Sequence, residues 1–487
     1  MRFPTRWPHG RVTEVHAEGW ARPAAPQWSL AGVLGALAIA AAAVAGAVYA
    51  VGSYRLDDPT ILPIAAAGLI AVALGLWRLE YGLALLIVLT PLAENAPIAE
   101  PGSARLRVAL GAWAMVLVLI QAVRSVLSGK KLVAPPVFVG ALAFVGAALA
   151  SVPFAASGEA AAAKFLLLTG SVFIYLLIAL FLDDWRALRP IFAALLLVGL
   201  LVSGHALWQY GTGELSRVGF VSDTGAVEYR VSSFFPHPNQ LAGFVVLFVP
   251  LAVGLYAVFE SRLARAACVL LAVLALPAAI VTYSRGVLVA LVALVLVLAR
   301  SKRAWPAIAA AAVLVVLLAP AAWQDRVADA GRLDRPEIAT RLDFWDAALT
   351  MFQAHPVLGV GLNSFDVAYV ELGTTGRSFL PGTGLAPPES AHNLYLNTLA
   401  EQGLVGIAAL LLLILAAGRM VLALRRSADA RVRGFGLGLL GAGILLLVSN
   451  LFDVTFVDPK TSMLAWTLLG VGAALQRIDA RDRTSGA

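Results

Sequence analysis

Apolar residues run along this chain in blocks of about 17 to 25, separated by short polar breaks, and each block is long enough to cross the roughly 30 Å hydrocarbon core of a bilayer as a helix. A helix in a soluble bundle needs a polar face, and these blocks lack one. The pattern predicts about 14 membrane spans, near residues 29–51, 60–77, 81–97, 107–123, 134–152, 162–182, 190–209, 240–259, 266–282, 286–299, 304–322, 391–417, 434–452 and 460–476.

Basic residues give the spans a direction. With the N-terminus inside, alternation puts Arg78, Arg124, Lys130, Lys131, Arg186, Arg189, Arg262, Arg265, Arg300, Lys302 and Arg303 in the cytoplasm. Arg419, Arg425, Arg426, Arg431, Arg433, Arg477, Arg481 and Arg483 follow on the same side, as the positive-inside rule requires. Both termini are therefore expected in the cytoplasm, and two long segments, 210–239 and 323–390, are expected outside. The second is large enough for a small subdomain. Within it, Pro336 followed by Leu342, Trp345, Leu349 and Phe352 predicts an amphipathic helix, which Pro356, Gly359 and Gly361 end. The predicted organisation is a tail 1–28, a transmembrane bundle 29–322, an outer loop subdomain 323–390, C-terminal spans 391–476 and a tail 477–487.

Composition agrees with a membrane solvent: 60% hydrophobic, 13% charged and a mean hydropathy of +0.85, against about 25% charged residues in soluble domains. The net charge of +7 does not imply nucleic acid, because the basic residues form no stripe or arm and sit between apolar blocks. The one cysteine, Cys268, lies inside a predicted span, so there is no disulfide framework and no thiol metal site.

Four polar segments on the outer side could carry chemistry. Ser390, Ala391, His392 and Asn393 open a membrane helix. Ser390 is placed to cap it, with His392 in the first turn, where the positive dipole end leaves a neutral ring available as a base. Asn393, Asn397 and Glu401 follow at i, i+4 and i+8 as one polar stripe. This stripe either faces a functional cavity or glues helices together around an ordinary interfacial histidine. Arg285, in Thr282-Tyr283-Ser284-Arg285-Gly286, either snorkels to lipid headgroups or holds a phosphate as a bidentate donor. Arg341 poses the same question against an ion pair with Asp343 or Asp346. Arg230, which precedes Phe235-Pro236-His237-Pro238-Asn239, poses it against a loop pair with Glu228 or Asp223. The outer segments contain no Asp-x-Asp pair, no metal-spaced cluster and no phosphate-binding glycine loop, so neither a metal nor another cofactor is implied. An activated donor has to bring its own leaving group.

With these residues in view, the chain resembles the O-antigen ligase and O-antigen polymerase superfamily of bacterial inner-membrane glycan ligases and polymerases. Family members show His, then Asn, Ser or Gln, nine residues, Gly, two residues and Gly; here these are His392, Asn393, Gly403 and Gly406. Thr340-Arg341-Leu342-Asp343-Phe344-Trp345 with His355-Pro356-Val357-Leu358-Gly359-Val360-Gly361 is similar to the family's outer-loop segment. Ser284-Arg285-Gly286 and Phe235-Pro236-His237-Pro238-Asn239 are similar to its two upstream motifs. The likeness spans about residues 230–415.

The resemblance implies an all-α, GT-C-like polytopic helix bundle of about 12 to 14 spans in the bacterial inner membrane, with a large periplasmic loop subdomain and a periplasmic active site. It implies a metal-independent glycosyltransferase that moves a glycan from an undecaprenyl-pyrophosphate carrier to an acceptor hydroxyl. The acceptor is lipid A core in a ligase or a second lipid-linked glycan in a polymerase; membrane lipids surround the protein and no nucleic acid takes part. His392 is expected as the base, with Arg285 and Arg341 as catalytic cations. Arg230, Asn239, Asn393 and Asn397 are expected to bind substrate, and Glu401, Gly403 and Gly406 to orient the site. The reading from another class is a small-molecule, bicarbonate-like transporter. Glu401 favours it, but the chain has neither related halves nor midplane charge pairs.

Overall fold

The computed structural model describes residues 73–92, 133–215, 219–221, 227–299, 336–372 and 387–485, with isolated positions at 70 and between 117 and 129. The predicted spans 29–51 and 304–322 lie outside the described residues, as do the tail 1–28 and most of the spans 60–77 and 107–123.

Each remaining apolar block forms a helix. In chain order these are α1 (Leu79–Leu92), α2 (Phe138–Ser151), α3 (Gly158–Phe181) and α4 (Trp185–Thr212). A small antiparallel hairpin follows, β1 (Gly219–Val221) and β2 (Val227–Tyr229), with Phe220 opposite Glu228. Next come α5 (Pro238–Val245), α6 (Phe248–Val258), α7 (Arg262–Ile280) and α8 (Arg285–Leu298). The outer segment supplies α9 (Pro336–Ala354) and α10 (Phe365–Glu371). The chain then runs through α11 (Leu394–Arg425), α12 (Ala430–Ser449) and α13 (Pro459–Ser485). Among the described residues, six stretches are long and apolar enough to cross a membrane: α3, α4, α5 continued by α6, α7, α11 and α12.

Local chemistry sets the helix ends. Ser157, Asp184, Ser261 and Asp429 cap α3, α4, α7 and α12, each side-chain oxygen accepting from a backbone N–H that has no partner inside its helix. Between the helices, small residues let backbones approach. A Cβ on Gly438 of α12 would stand 2.9 Å from the Cα of Gly254 in α6, and one on Gly140 of α2 would stand 2.7 Å from the Cα of Leu413 in α11. Where such contacts are absent, aromatic rings fill the core. Trp466 of α13 is fully buried against Tyr175 of α3, Phe144 of α2 and Phe456.

The bundle has two chemically different ends. At one, Arg477 donates to the carbonyls of Leu180 and Leu182, Arg265 donates to that of Phe259, and Arg431 lies 4.2 Å from the Trp185 ring while pairing with Asp429. These are residues that the charge pattern predicts to face the cytoplasm. At the other end the polar segments 230–239, 282–286, 336–372, 387–394 and 450–458 meet one another through the contacts described next.

Candidate functional site

The site is built on the connection between α12 and α13. Leu394, the first residue of α11, donates its N–H to the carbonyls of Asn450 (2.9 Å) and Asp453 (3.0 Å), so this connection and the start of α11 form one unit. Ser390 does not cap the helix. Asn393 does, its Oδ1 accepting from the N–H groups of Tyr395 and Leu396, and Ser390 Oγ instead accepts from the His392 N–H. His392 therefore stands just before the helix and not in its first turn. Its backbone is left-handed, with φ 47°, a conformation that costs a non-glycine residue about 1–3 kcal/mol and persists only where its surroundings hold it. The hold comes from Leu394 on one side and from Asn397 on the other, whose Oδ1 accepts from the Ala391 N–H at 3.0 Å. Asn393 and Asn397 thus use their carbonyl oxygens to shape the turn that carries the histidine.

This geometry aims the imidazole at a carboxylate. His392 Nδ1 stands 3.6 Å from Asp453 Oδ1, within ion-pair range and slightly longer than a hydrogen bond. The histidine side chain is 41% exposed and the aspartate 16%, so the pair has one wet face and one covered one. Phe344 of α9 lies nearly parallel to the imidazole at 6.0 Å. Burial pushes the Asp453 carboxyl up, but the adjacent imidazole, the Val454 N–H and the Arg341 charge together hold it below the usual carboxylate range.

The arginines arrive from three elements. Arg341, one turn before Phe344 on α9, donates to the Phe452 carbonyl next to Asp453. Its charge also acts on Asp453. Arg285 opens α8, and the following Gly286 lies against Phe452: a Cβ there would stand 2.9 Å from the Phe452 Cβ. Only a glycine lets α8 begin this close. Arg230 braces the turn before Arg285, donating to the Thr282 carbonyl at 2.7 Å and to Asn239 Oδ1 at 3.0 Å. Among the described residues, the non-glycine positions with positive φ are Val137, Ser233, Tyr283, Asn363 and His392; all but Val137 lie in the loops that make or brace this site.

Glu401, Gly403 and Gly406 lie further along α11, where the helix is broken. Gly403 has φ 60° and ψ −154°, and residues 356–361 are laid into the break. Val360 and Gly361 donate to the carbonyls of Ala400 and Glu401, and Leu404 and Val405 donate to those of Pro356 and Val357. The break leaves backbone groups that lipid could not satisfy, and this strap satisfies them. Gly406 faces the Gln402 side chain at the next turn.

Two residues here escape a reading by motif. Asp453 directly follows the predicted span 434–452 and belongs to none of the polar segments singled out by motif. Lys460, 2% exposed, donates to the carbonyls of Phe234 and Pro91 and lies 4.7 Å from the Phe235 ring, tying the 230–239 loop to α13; no local pattern announces it.

The depressed Asp453 carboxyl gives a pH prediction. An acid whose folded pKa lies below its unfolded value of about 3.9 adds stability above that value and loses it as pH falls through the folded one. Thermal melts of the detergent-solubilised protein should therefore hold steady down to about pH 4 and fall below it, and Asp453→Asn should flatten the acidic part of the curve.

Fold and site together define an all-α, multi-pass membrane protein with a cationic site and a His–Asp pair at one end of its helix bundle. Residues 270–411 match the family model of the O-antigen ligase, and the chain carries that domain. The match covers α7 to the middle of α11, with Arg285, Arg341, His392, Glu401, Gly403 and Gly406 inside it and Arg230, Asn239 and Asp453 outside. No curated protein matches the chain. The match supports a membrane glycosyltransferase-like enzyme of the O-antigen ligase and polymerase kind, a family whose substrates are lipid-linked glycans in general.

Proposed function

We propose that the protein is an O-antigen ligase-like glycosyltransferase of the bacterial inner membrane, which transfers a glycan from an undecaprenyl-pyrophosphate carrier to an acceptor hydroxyl on the periplasmic face. The observation that carries this reading is the His392–Asp453 pair standing beside the Phe452 carbonyl to which Arg341 is bound. The carboxylate at Nδ1 favours the tautomer protonated there and leaves Nε2 as the acceptor of a proton. In the transfer, Nε2 takes the proton of the acceptor hydroxyl, the acceptor oxygen bonds to the sugar C1, and the C1–O bond to pyrophosphate breaks with its electron pair leaving on the phosphate. Arg341 and Arg285, with Arg230 bracing the second, stabilise that growing charge. Direct attack by the acceptor oxygen is a single displacement, which inverts C1. Guanidinium charge takes the part that a metal ion plays in other transferases, and transfer should continue in a chelator. The excess of basic residues at the opposite end of the bundle supports the periplasmic side for the site.

The deciding experiment is the glycolipid profile of a deletion strain complemented with wild type or variants. A full-length ladder stranded on the lipid carrier supports the ligase. Accumulation of a single lipid-linked repeat would instead make the protein a polymerase of the same superfamily with lipid-linked glycan as its acceptor. An unchanged profile would remove the glycan reading and favour a transporter. Arg285→Lys and Arg341→Lys should each lower transfer about tenfold to a hundredfold, since a point charge does not replace a planar fork and a charged hydrogen bond is worth about 1.5–3 kcal/mol. Wild-type transfer by Arg285→Lys would return that residue to headgroup snorkelling.

A further inference from the structure

Glu401 lies two turns into α11, 6% exposed, in a helix otherwise apolar enough to cross a membrane. An ionisable side chain in such a place is expected to have a specific partner. Its partners are backbone: its carboxylate faces the N–H groups of Asn363, Ser364 and Phe365, and the Gly361 N–H donates to the Glu401 backbone carbonyl at 3.1 Å. Residues 363–365 open α10, and Asn363 holds the left-handed φ of 57° that turns the chain into position. Lys164 of α3 lies within electrostatic reach of the same carboxylate.

What α10 carries explains the arrangement. Phe365 and Tyr369 of α10 pack with Ala347, Ala348 and Met351 of α9 and Ala391 and Ala400 on α11 and its approach, in a core separate from that of the main bundle. Tyr369 meets the edge of Phe344 at 5.9 Å, and Phe344 lies over His392. Arg341 is on the same helix, one turn earlier, bound to Phe452. A continuous line of contacts therefore runs from Glu401 through α10 to both the base and a cation of the site.

We propose that Glu401 is a positioning residue: by anchoring the start of α10 it fixes α9, and so sets Phe344 against His392 and Arg341 beside Asp453. The proposal rests on the reading of His392 and Arg341 as the residues that meet the substrate. What it requires of residue 401 is reach. The side chain must extend to the 363–365 N–H groups and present an acceptor there. Glutamine meets both conditions, aspartate falls one methylene short, and alanine meets neither.

The test uses the purified full-length protein in detergent and follows the rate at which diethylpyrocarbonate modifies His392, by peptide mass spectrometry, with and without inorganic pyrophosphate. The expected result is that Glu401→Ala and Glu401→Asp raise the His392 modification rate several-fold and lose protection by pyrophosphate, while Glu401→Gln stays close to wild type in both. Melting temperatures identify any variant that fails to fold; if alanine fails, the aspartate and glutamine pair decides. Aspartate modified at the wild-type rate and protected like wild type would overturn the proposal, as would glutamine behaving like aspartate. Absence of pyrophosphate protection in the wild type is a different failure. It would count against the pyrophosphate-binding reading and leave the dependence of His392 exposure on residue 401 to stand or fall by itself.

Discussion

Replacing His392 by alanine is expected to lower glycan transfer by about two to four orders of magnitude, the usual contribution of a positioned general base. The protein should still reach the membrane, because the ring is 41% exposed and its removal opens no core cavity. Asp453→Asn should come close to the same loss. An amide at 3.6 Å from Nδ1 no longer favours the proton there, and the ring is free to adopt the tautomer that cannot accept from the acceptor hydroxyl. The double variant should be little worse than His392→Ala, since both changes remove one function. Complementation of a deletion strain, with the glycolipid ladder quantified, measures all three. Wild-type ladders from His392→Ala would remove the base assignment. A normal ladder from Asp453→Asn beside a lost one from His392→Ala would leave Asp453 as a brace for the Leu394 turn and nothing more.

The other large effect is expected at Gly403. With φ 60° and ψ −154° it occupies a region nearly closed to residues with a Cβ, at a cost of about 1–3 kcal/mol. The added atom would also stand 2.4 Å from the carbonyl carbon and oxygen of Val357, an overlap that costs about 1–3 kcal/mol more. Gly403→Ala should therefore expel the 356–361 strap or unfold the outer half of α11. Gly359→Ala should do the same from the other side, since its Cβ would meet the Glu401 backbone at 2.2 Å. Limited proteolysis at 356–361 and melting in detergent read both outcomes. Gly418→Ala, on the same helix with nothing within 4 Å, is the control and should be neutral or slightly stabilising. A Gly403→Ala protein with wild-type melting and protease resistance would mean that the break in α11 is not needed.

The motif spacing that makes the family visible has its physical account in this break. Gly403 stands eleven positions after His392 because the helix that starts beside the histidine has to open where the outer segment enters it. Gly359 lies on the backbone of Ala400–Gln402 and Gly403 on that of Val357–Leu358, across the same contact. Both are legible as glycines in the sequence. That they touch is not, since more than forty residues separate them.

The membrane class, the helix-forming blocks and the segregation of charge to one end follow from the sequence alone, because hydrocarbon admits only internally bonded backbone and each block is locally long enough to supply it. His392, Arg285, Arg341 and Arg230 were also recognisable as polar residues in outer breaks. Tertiary structure decided what those residues face. The pairing of His392 with Asp453 joins the start of α11 to the far end of α12. Arg341 reaches Phe452 across more than a hundred residues, and Asn239, Asn393 and Asn397 have their carbonyl oxygens committed to protein groups. Local pattern sets which side chains are polar, apolar or able to turn. Only packing of helices distant in the chain sets which polar side chains meet, because the energy of those contacts depends on atoms that no short stretch of sequence contains.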